Sequence, residues 1–284
     1  MRLRRFAVGD VQVTLLDDGC FRLDGGGVFG IVPRPLWEQH MPPDGRNRVV
    51  LGLVCPLLES RGRRVLVDTG AGRKAPARLQ EILALDPRRT LLDALREAGV
   101  EPHTIDVVTN THLHYDHCGW NTQRDPDGNL LPTFPEATYV VQEAEWDAAM
   151  HPDERSAPAY ARENFAPLPD VAKTFERICG EVELAAGVFT HPSPGHTCAH
   201  QCVRIESHGQ TAIFLGDLVP TPAHIPVPWH MAYDLHPLRL MRTKRELLER
   251  AAREDWLLIF DHDPGLRVGR VERRDDWRLA FRPA

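Results

Sequence analysis

The stretch THLHYDHCG, residues 111–119, decides the reading of this chain. It follows residues 105–108, a short β-branched apolar run that reads as a buried strand, so its histidines stand where a strand delivers side chains to a sheet edge. His112 and His114, two residues apart, point their imidazoles to one side of an extended segment, and the turn beyond aims Asp116 and His117 at a second point. One strand end can therefore feed two adjacent metal ions. A lone His-x-His would be weak evidence, but His-x-His-x-Asp-His after a strand is far more specific. Imidazole nitrogen and carboxylate oxygen suit borderline divalent ions, with zinc expected and manganese, iron or cobalt open.

Four ligands cannot complete two metal shells, so further His or Asp should stand at later strand ends. His196 in PSPGHT, Asp217 in FLGDL and His262 in IFDHD supply them. The elements around the motif alternate. Residues 11–16 and 49–58 read as early strands, separated by a Gly- and Pro-rich stretch at 25–45 that is long for a structureless loop. Residues 64–67 form a strand ending in Asp68, Thr69 and Gly70. Two helices follow, the second spanning about 86–99. Beyond the motif, 138–141, 188–190, 199–205, 211–215 and 256–260 read as strands, 143–150 as a short helix and 238–252 as a long amphipathic one. Residues 152–184, interrupted by prolines, are expected to form a helical or loop insertion. The pattern predicts a layered α/β fold with no internal repeat.

With 284 residues, 42% of them apolar, the chain can bury a sizeable core. Its 34 basic and 40 acidic side chains give a net charge of -6 and are interspersed, which argues against binding to nucleic acid or an anionic membrane. Six cysteines are too few for a disulfide scaffold and suggest a reducing compartment. The start, MRLRRFAVGD, has no apolar run behind its basic residues, and no window approaches eighteen uncharged apolar residues. A cytoplasmic location is expected.

The motif and its three later partners resemble the metallo-β-lactamase-fold hydrolases from about Val49 to His262. The resemblance implies a single domain over 1–284, a four-layer αβ/βα sandwich with a binuclear centre in a cleft along one edge of two packed sheets. It also implies that His112, His114 and His196 hold the first metal and Asp116, His117 and His262 the second, with Asp217 bridging. Asp68, in LVDTG, would support the site without touching the ions. Two such cations depress the pKa of a shared water and polarise the electrophile, leaving Asp116 as the acid/base that returns a proton to the leaving group.

Residues 111–122 and the later GDLVPTPAHIPVPWHMAYDLHP are similar to the subgroup that includes acyl-homoserine lactonases and methyl-parathion-type hydrolases. One lactonase branch places a tyrosine three residues after the bridging aspartate, where this chain has Pro220. His224, Trp229, His230 and Tyr233 are candidates to line the cleft, and a phenol or imidazole among them could replace the missing group. The expected activity is opening of a lactone or cleavage of a small carboxylic ester by a metal-bridging hydroxide. Organophosphate triester hydrolysis, β-lactamase or thioesterase activity, an iron-dependent sulfur oxygenase and a non-catalytic binding protein are the alternatives. Cys118, Cys198 and Cys202 lie near the ligands, but the set is complete without sulfur. Finally, Phe21, Val28, Phe29, Ile31, Val32, Leu36 and Trp37 form an apolar series in an N-terminal extension of about 1–48, expected to pack over the cleft or across a partner in a homodimer.

Overall fold

The computed structural model describes residues 3–274 and 278–284, so Met1 and Arg2 of the basic start lie outside it. Two sheets of seven strands form the centre. The first contains β1 (Arg4–Val8), β2 (Val11–Asp24), β3 (Arg48–Ser60), β4 (Arg63–Val67) and β5 (Val107–Thr109). After a separate hairpin of β6 (Thr122–Arg124) and β7 (Leu130–Pro132), it is completed by β8 (Thr138–Gln142) and β9 (Thr174–Ile178). The second runs through β10 (Glu183–Ala185), β11 (Val188–Pro192), β12 (Gln201–Ser207), β13 (Gln210–Phe214), β14 (Leu257–Ile259), β15 (Val268–Arg273) and β16 (Leu279–Pro283) in that spatial order. The helices are α1 (Gly25–Phe29), α2 (Arg34–Trp37), α3 (Ala77–Ile82), α4 (Leu91–Ala98), α5 (Glu143–Met150), α6 (Leu168–Val171) and α7 (Pro237–Arg253).

Side-chain alternation along the strands builds the layers. Val65 and Val67 of β4 face the second sheet, where they join Val203, Ile205 and Phe214, while Leu66 between them faces Leu91, Ala94 and Leu95 of α4. The second sheet repeats this arrangement: Ala212 and Phe214 point inward, and Ile213 points out to Leu240, Leu247, Leu248 and Ala251 of α7. With Lys244, the buried α7 positions 240, 244, 247/248 and 251 recur every three or four residues, which is the stripe a helix needs to cover a sheet face. The result is the expected αβ/βα sandwich.

Among the described residues four strand pairs are parallel, namely β4 with β5, β5 with β8, β8 with β9, and β13 with β14. Parallel neighbours need long crossovers, and α4 and α7 lie within two of them. Each crossover returns the chain to the same sheet end, so the segments leaving β4, β5, β13 and β14 meet at one edge.

Residues 25–45, long for a structureless loop, hold two short helices: Asp24 Oδ1 accepts from Gly26 N (2.8 Å) and caps α1, and α2 follows. Two expectations are corrected. Residues 152–184 include the edge strand β9, whose sequence TFERI carries the charges of an exposed strand and so lacks an apolar run to reveal it. The helix expected from 86 begins at Leu91, capped by Thr90, whose hydroxyl accepts from Asp93 N (3.1 Å); Asp86 instead pairs with Arg88. The residues expected as an extension build β1, β2, α1 and α2. Phe21, Val28, Phe29, Val32 and Trp37 of the apolar series are buried within the chain, and Ile31 and Leu36 remain exposed at 78% and 51%.

Candidate metal centre

The expected ligands and Asp68 stand on segments that leave strands β4, β5, β11, β13 and β14. Asp68 follows β4 in a left-handed conformation (φ +56°) that an aspartate tolerates only at some cost. The turn lets Oδ1 accept from Thr111 N (2.7 Å) and Oδ2 from the Thr111 hydroxyl (2.8 Å), pinning the chain just before His112. Its Oδ2 also lies 3.0 Å from Nδ1 of His117. Asp68 thus clamps both ends of the motif.

The other imidazoles are tied back in the same manner. Nδ1 of His196 lies 2.8 Å from Asp234 Oδ1, Nδ1 of His262 lies 2.9 Å from the Gly52 carbonyl, and Nδ1 of His112 lies 3.1 Å from the Thr111 hydroxyl. In all four rings Nε2 is left pointing forward, the arrangement by which a partner behind a histidine sets its tautomer and orients it toward a cation. His114 is the exception and turns Nδ1 inward.

The forward atoms form two clusters. In the first, His112 Nε2 and His196 Nε2 stand 2.9 and 3.1 Å from His114 Nδ1, and Asp217 Oδ2 lies 3.1 Å from His196 Nε2 and 3.8 Å from His112 Nε2. Four donors at tetrahedral corners about 2.0–2.1 Å from a zinc ion would be about 3.3–3.4 Å apart, so these spacings fit. In the second, Asp217 lies 3.6 Å from His117 Nε2 and 3.0 Å from His262 Nε2, and Asp116 is 3.9 and 3.8 Å from the same two nitrogens. His117 Nε2 is buried with no hydrogen-bond partner, which is costly for a polar atom unless a cation completes it. The two His/Asp clusters can hold a binuclear divalent centre, and Asp217 belongs to both.

Asp261 was not among the expected residues. One oxygen from it lies within 4.8 Å of ligand atoms from His117, Asp217 and His262. Its carboxylate meets His117 at Nδ1 (3.0 Å), however, on the opposite side of the ring from Asp116 and Asp217, and its Oδ1 lies 3.2 Å from Val54 N as an acceptor. It braces the ring from behind. Asp234 behind His196 was missed too, as was His200, whose Nε2 accepts from Asp217 N (3.1 Å). So was Glu145 of α5, which accepts from Leu113 N (3.1 Å) and the Thr197 hydroxyl (2.6 Å), joining the loops of His112 and His196. An acid directly after a strand, as in Asp68, was the available signal for Asp261. No local pattern marks the other three.

Buried imidazoles and carboxylates in contact shift one another strongly. Burial, together with the neighbouring imidazoles, holds His112 and His114 well below the ordinary histidine range. Burial opposes the imidazolium of His117 as well, but Asp261, Asp116 and Asp217 outweigh it and raise that ring well above its usual value. Burial alone would raise the Asp217 carboxyl, yet His196, His262 and His117 hold it well below the carboxylate range.

A cleft of about 310 Å³ opens over the clusters, lined by His114, Asp116, His196, Asp217 and His262 together with Leu23, Leu51, Tyr115, Arg155, Met231 and Tyr233. Of the four loop residues expected to line it, Tyr233 does so. His224 is buried away from it, with Nε2 3.0 Å from the Val28 carbonyl, Nδ1 2.8 Å from the Thr221 hydroxyl and its ring stacked on Phe29. Trp229 packs edge-on against Phe29 and His40, and His230 turns Nδ1 to the Met231 carbonyl (3.0 Å) and toward Asp234. These three are corrected to packing roles, because a proline-rich loop lying over α1 must bury its rings there. A larger hollow of about 570 Å³, lined in part by Arg267, Ile225 and Phe281, includes none of the cluster residues.

Comparison with known proteins agrees with this geometry. The family described as the metallo-beta-lactamase superfamily matches residues 53–262. An N-acyl homoserine lactonase of a Bacillus species is 29% identical over 171 residues, 57% of this chain and 61% of that protein, so the match spans about three fifths of that relative's length. A solved probable metal-dependent hydrolase from Staphylococcus aureus superposes with a TM-score of 0.86 at 26% identity, covering 98% of this chain and 99% of its own. AidC, a dizinc quorum-quenching lactonase solved with N-hexanoyl-L-homoserine, shares the fold with a TM-score of 0.79 at 18% identity, covering 99% and 97% of the two chains.

Proposed function

The chain belongs to the metallo-β-lactamase superfamily, and from that premise we propose that it is a metal-dependent hydrolase that opens a lactone or cleaves a small carboxylic ester. The observation that carries this reading is the shared carboxylate, Asp217, standing between two sets of forward-pointing imidazoles on the floor of a partly apolar cleft. His112, His114 and His196 would hold one ion and Asp116, His117 and His262 the other, with zinc expected from the imidazole and carboxylate donors. Two such ions, when bound, would supply Lewis acidity toward a carbonyl and a depressed pKa for water.

The remaining roles belong to the chain itself. Asp116, between the second cluster and the cleft, accepts the proton of the attacking water and returns it to the departing alkoxide. Tyr233 donates a hydrogen bond to the substrate carbonyl, filling the role left open at Pro220. Leu23, Leu51, Met231 and Leu235 favour an uncharged acyl group, and among the described residues Arg155 is the one basic side chain other than histidine along the wall. Asp68, Asp234 and Asp261 keep the rings aimed. The exposed Ile31 and Leu36 support contact between two copies of the chain, which sedimentation at micromolar protein tests. Six unpaired cysteines support a reducing, cytoplasmic setting.

The deciding experiment is a hydrolysis panel on metal-loaded protein with lactones, aryl esters, phosphotriesters, a β-lactam and a glutathione thioester, each paired with an EDTA-treated control. Turnover of a lactone or aryl ester, abolished by EDTA and restored by zinc, is the expected result. Efficient phosphotriester hydrolysis without lactone or ester turnover would replace this reading.

A further inference from the structure

We infer that Gly27 is the seat of Tyr233, and that the missing side chain at Gly27 sets where the phenol stands in the cleft and therefore which acyl groups fit. The inference rests on the ester- or lactone-hydrolase reading for its kinetic consequence, but not for its structural one. α1 lies directly against the loop that carries Tyr233: Ala232 N donates to the Gly27 carbonyl (2.8 Å), and His224 Nε2 lies 3.0 Å from the next carbonyl, that of Val28. A Cβ placed on Gly27 would overlap the Tyr233 hydroxyl oxygen and stand 2.7 Å from Cζ and 3.3 Å from Cε2. Its three nearest atoms would all belong to Tyr233.

The helix cannot retreat to make room. A Cβ on Gly25, two residues before, would collide with the buried Trp37 ring, and Asp24 Oδ1 caps the amides of Gly26 (2.8 Å) and Gly27 (3.2 Å). Gly27 itself lies within α1 without a positive φ, so alanine suits its backbone and the conflict is with the phenol alone. Tyr233, 40% exposed, is free to yield. A methyl at Gly27 therefore turns the ring out of its seat while the helix stays in place. Because the same ring borders the cleft shared by Asp116 and Asp217, its displacement alters both the hydrogen bond it offers and the space beside it.

The test uses full-length, zinc-loaded protein in four forms: wild type, Gly27→Ala, Tyr233→Ala and the double variant. Gly27→Ala should lower kcat/KM on the best lactone or ester by about 10- to 100-fold, as misplacement of a positioning group does, and should change the ratio between a short- and a long-chain substrate. In the Tyr233→Ala background the same substitution should change kcat/KM less than about twofold, because the atom it strikes is gone. Equal effects in both backgrounds, no effect in either, or loss of bound metal in Gly27→Ala would each overturn the inference. Nitration by tetranitromethane, mapped by peptide mass, reads the seat without turnover. Of the four tyrosines only Tyr233 is exposed, and its nitration rate should rise in Gly27→Ala while Tyr139, buried elsewhere, does not change. An unchanged rate at Tyr233 would overturn the seat. If the wild type hydrolyses no lactone or ester, the functional reading falls while nitration still decides the inference.

Discussion

Two loops rich in histidine and aromatic residues, 111–119 and 220–235, border the same cleft, yet the fold uses them in opposite ways. In the first, all three histidines and Asp116 converge on the metal clusters. In the second, His224 becomes a buried packing residue under α1, Trp229 and His230 pack beside it, and Tyr233 is the one of its four candidate rings that lines the cleft. Residue type is therefore a poor guide to role without the backbone that presents it. The first loop leaves a parallel strand whose register sets the direction of each side chain, whereas the course of the second follows from what it packs against.

The strongest way to break this contrast is at the carboxylate the clusters share. Asp217→Ala should take bound metal from two ions per chain toward none and reduce turnover to that of the metal-free protein. Elemental analysis retaining two ions would remove Asp217 from the centre. Next in size, Asp116→Asn should depress turnover by roughly 10²- to 10⁴-fold, the usual loss for a positioned acid/base group. Metal must be measured in the same sample, and a near-wild-type rate with two ions bound would assign proton transfer elsewhere.

Asp234→Asn sharpens the comparison, since it sits in the second loop but acts through His196 of the first cluster. It should weaken that cluster's metal affinity about 10- to 100-fold in chelator competition, with the second ion little affected. The smallest catalytic effect belongs to His224→Ala. Leaving the Val28 carbonyl and the Thr221 hydroxyl without their partner should cost about 1–3 kcal/mol in denaturant unfolding, while metal content and turnover of the folded protein hold. A collapse in turnover at unchanged stability would return His224 to the cleft.

The sequence was informative wherever function requires several residues at short spacing. His112, His114, Asp116 and His117 declare themselves because four candidate ligands crowd into one turn, and Asp217 and His262 because each follows an apolar run. The helix from 237 to 253 was equally plain, its apolar stripe repeating at the helical period. Strand β9 was not, because TFERI at a sheet edge carries polar side chains and its partnering with β8 is visible only once the sheet forms. Nor were α1 and α2, short helices held by Asp24 and by the Trp37 ring against Gly25 rather than by any run of helix formers.

What the amino-acid sequence determined by itself was the layered α/β class and the candidate ligands that cluster in sequence or end a strand, since both rest on periodicity and on contacts between near neighbours. Tertiary structure alone decided which residues stand behind them. Asp234 reaches His196 across 38 positions, Asp68 reaches His117 across 49, and the Gly52 carbonyl reaches His262 across 210. Such pairs leave no pattern in the chain, because a hydrogen bond between distant segments constrains each residue only through the fold that brings them together. The same holds for Gly27 and Tyr233, where the absence of a side chain acquires meaning only from the ring that occupies its place.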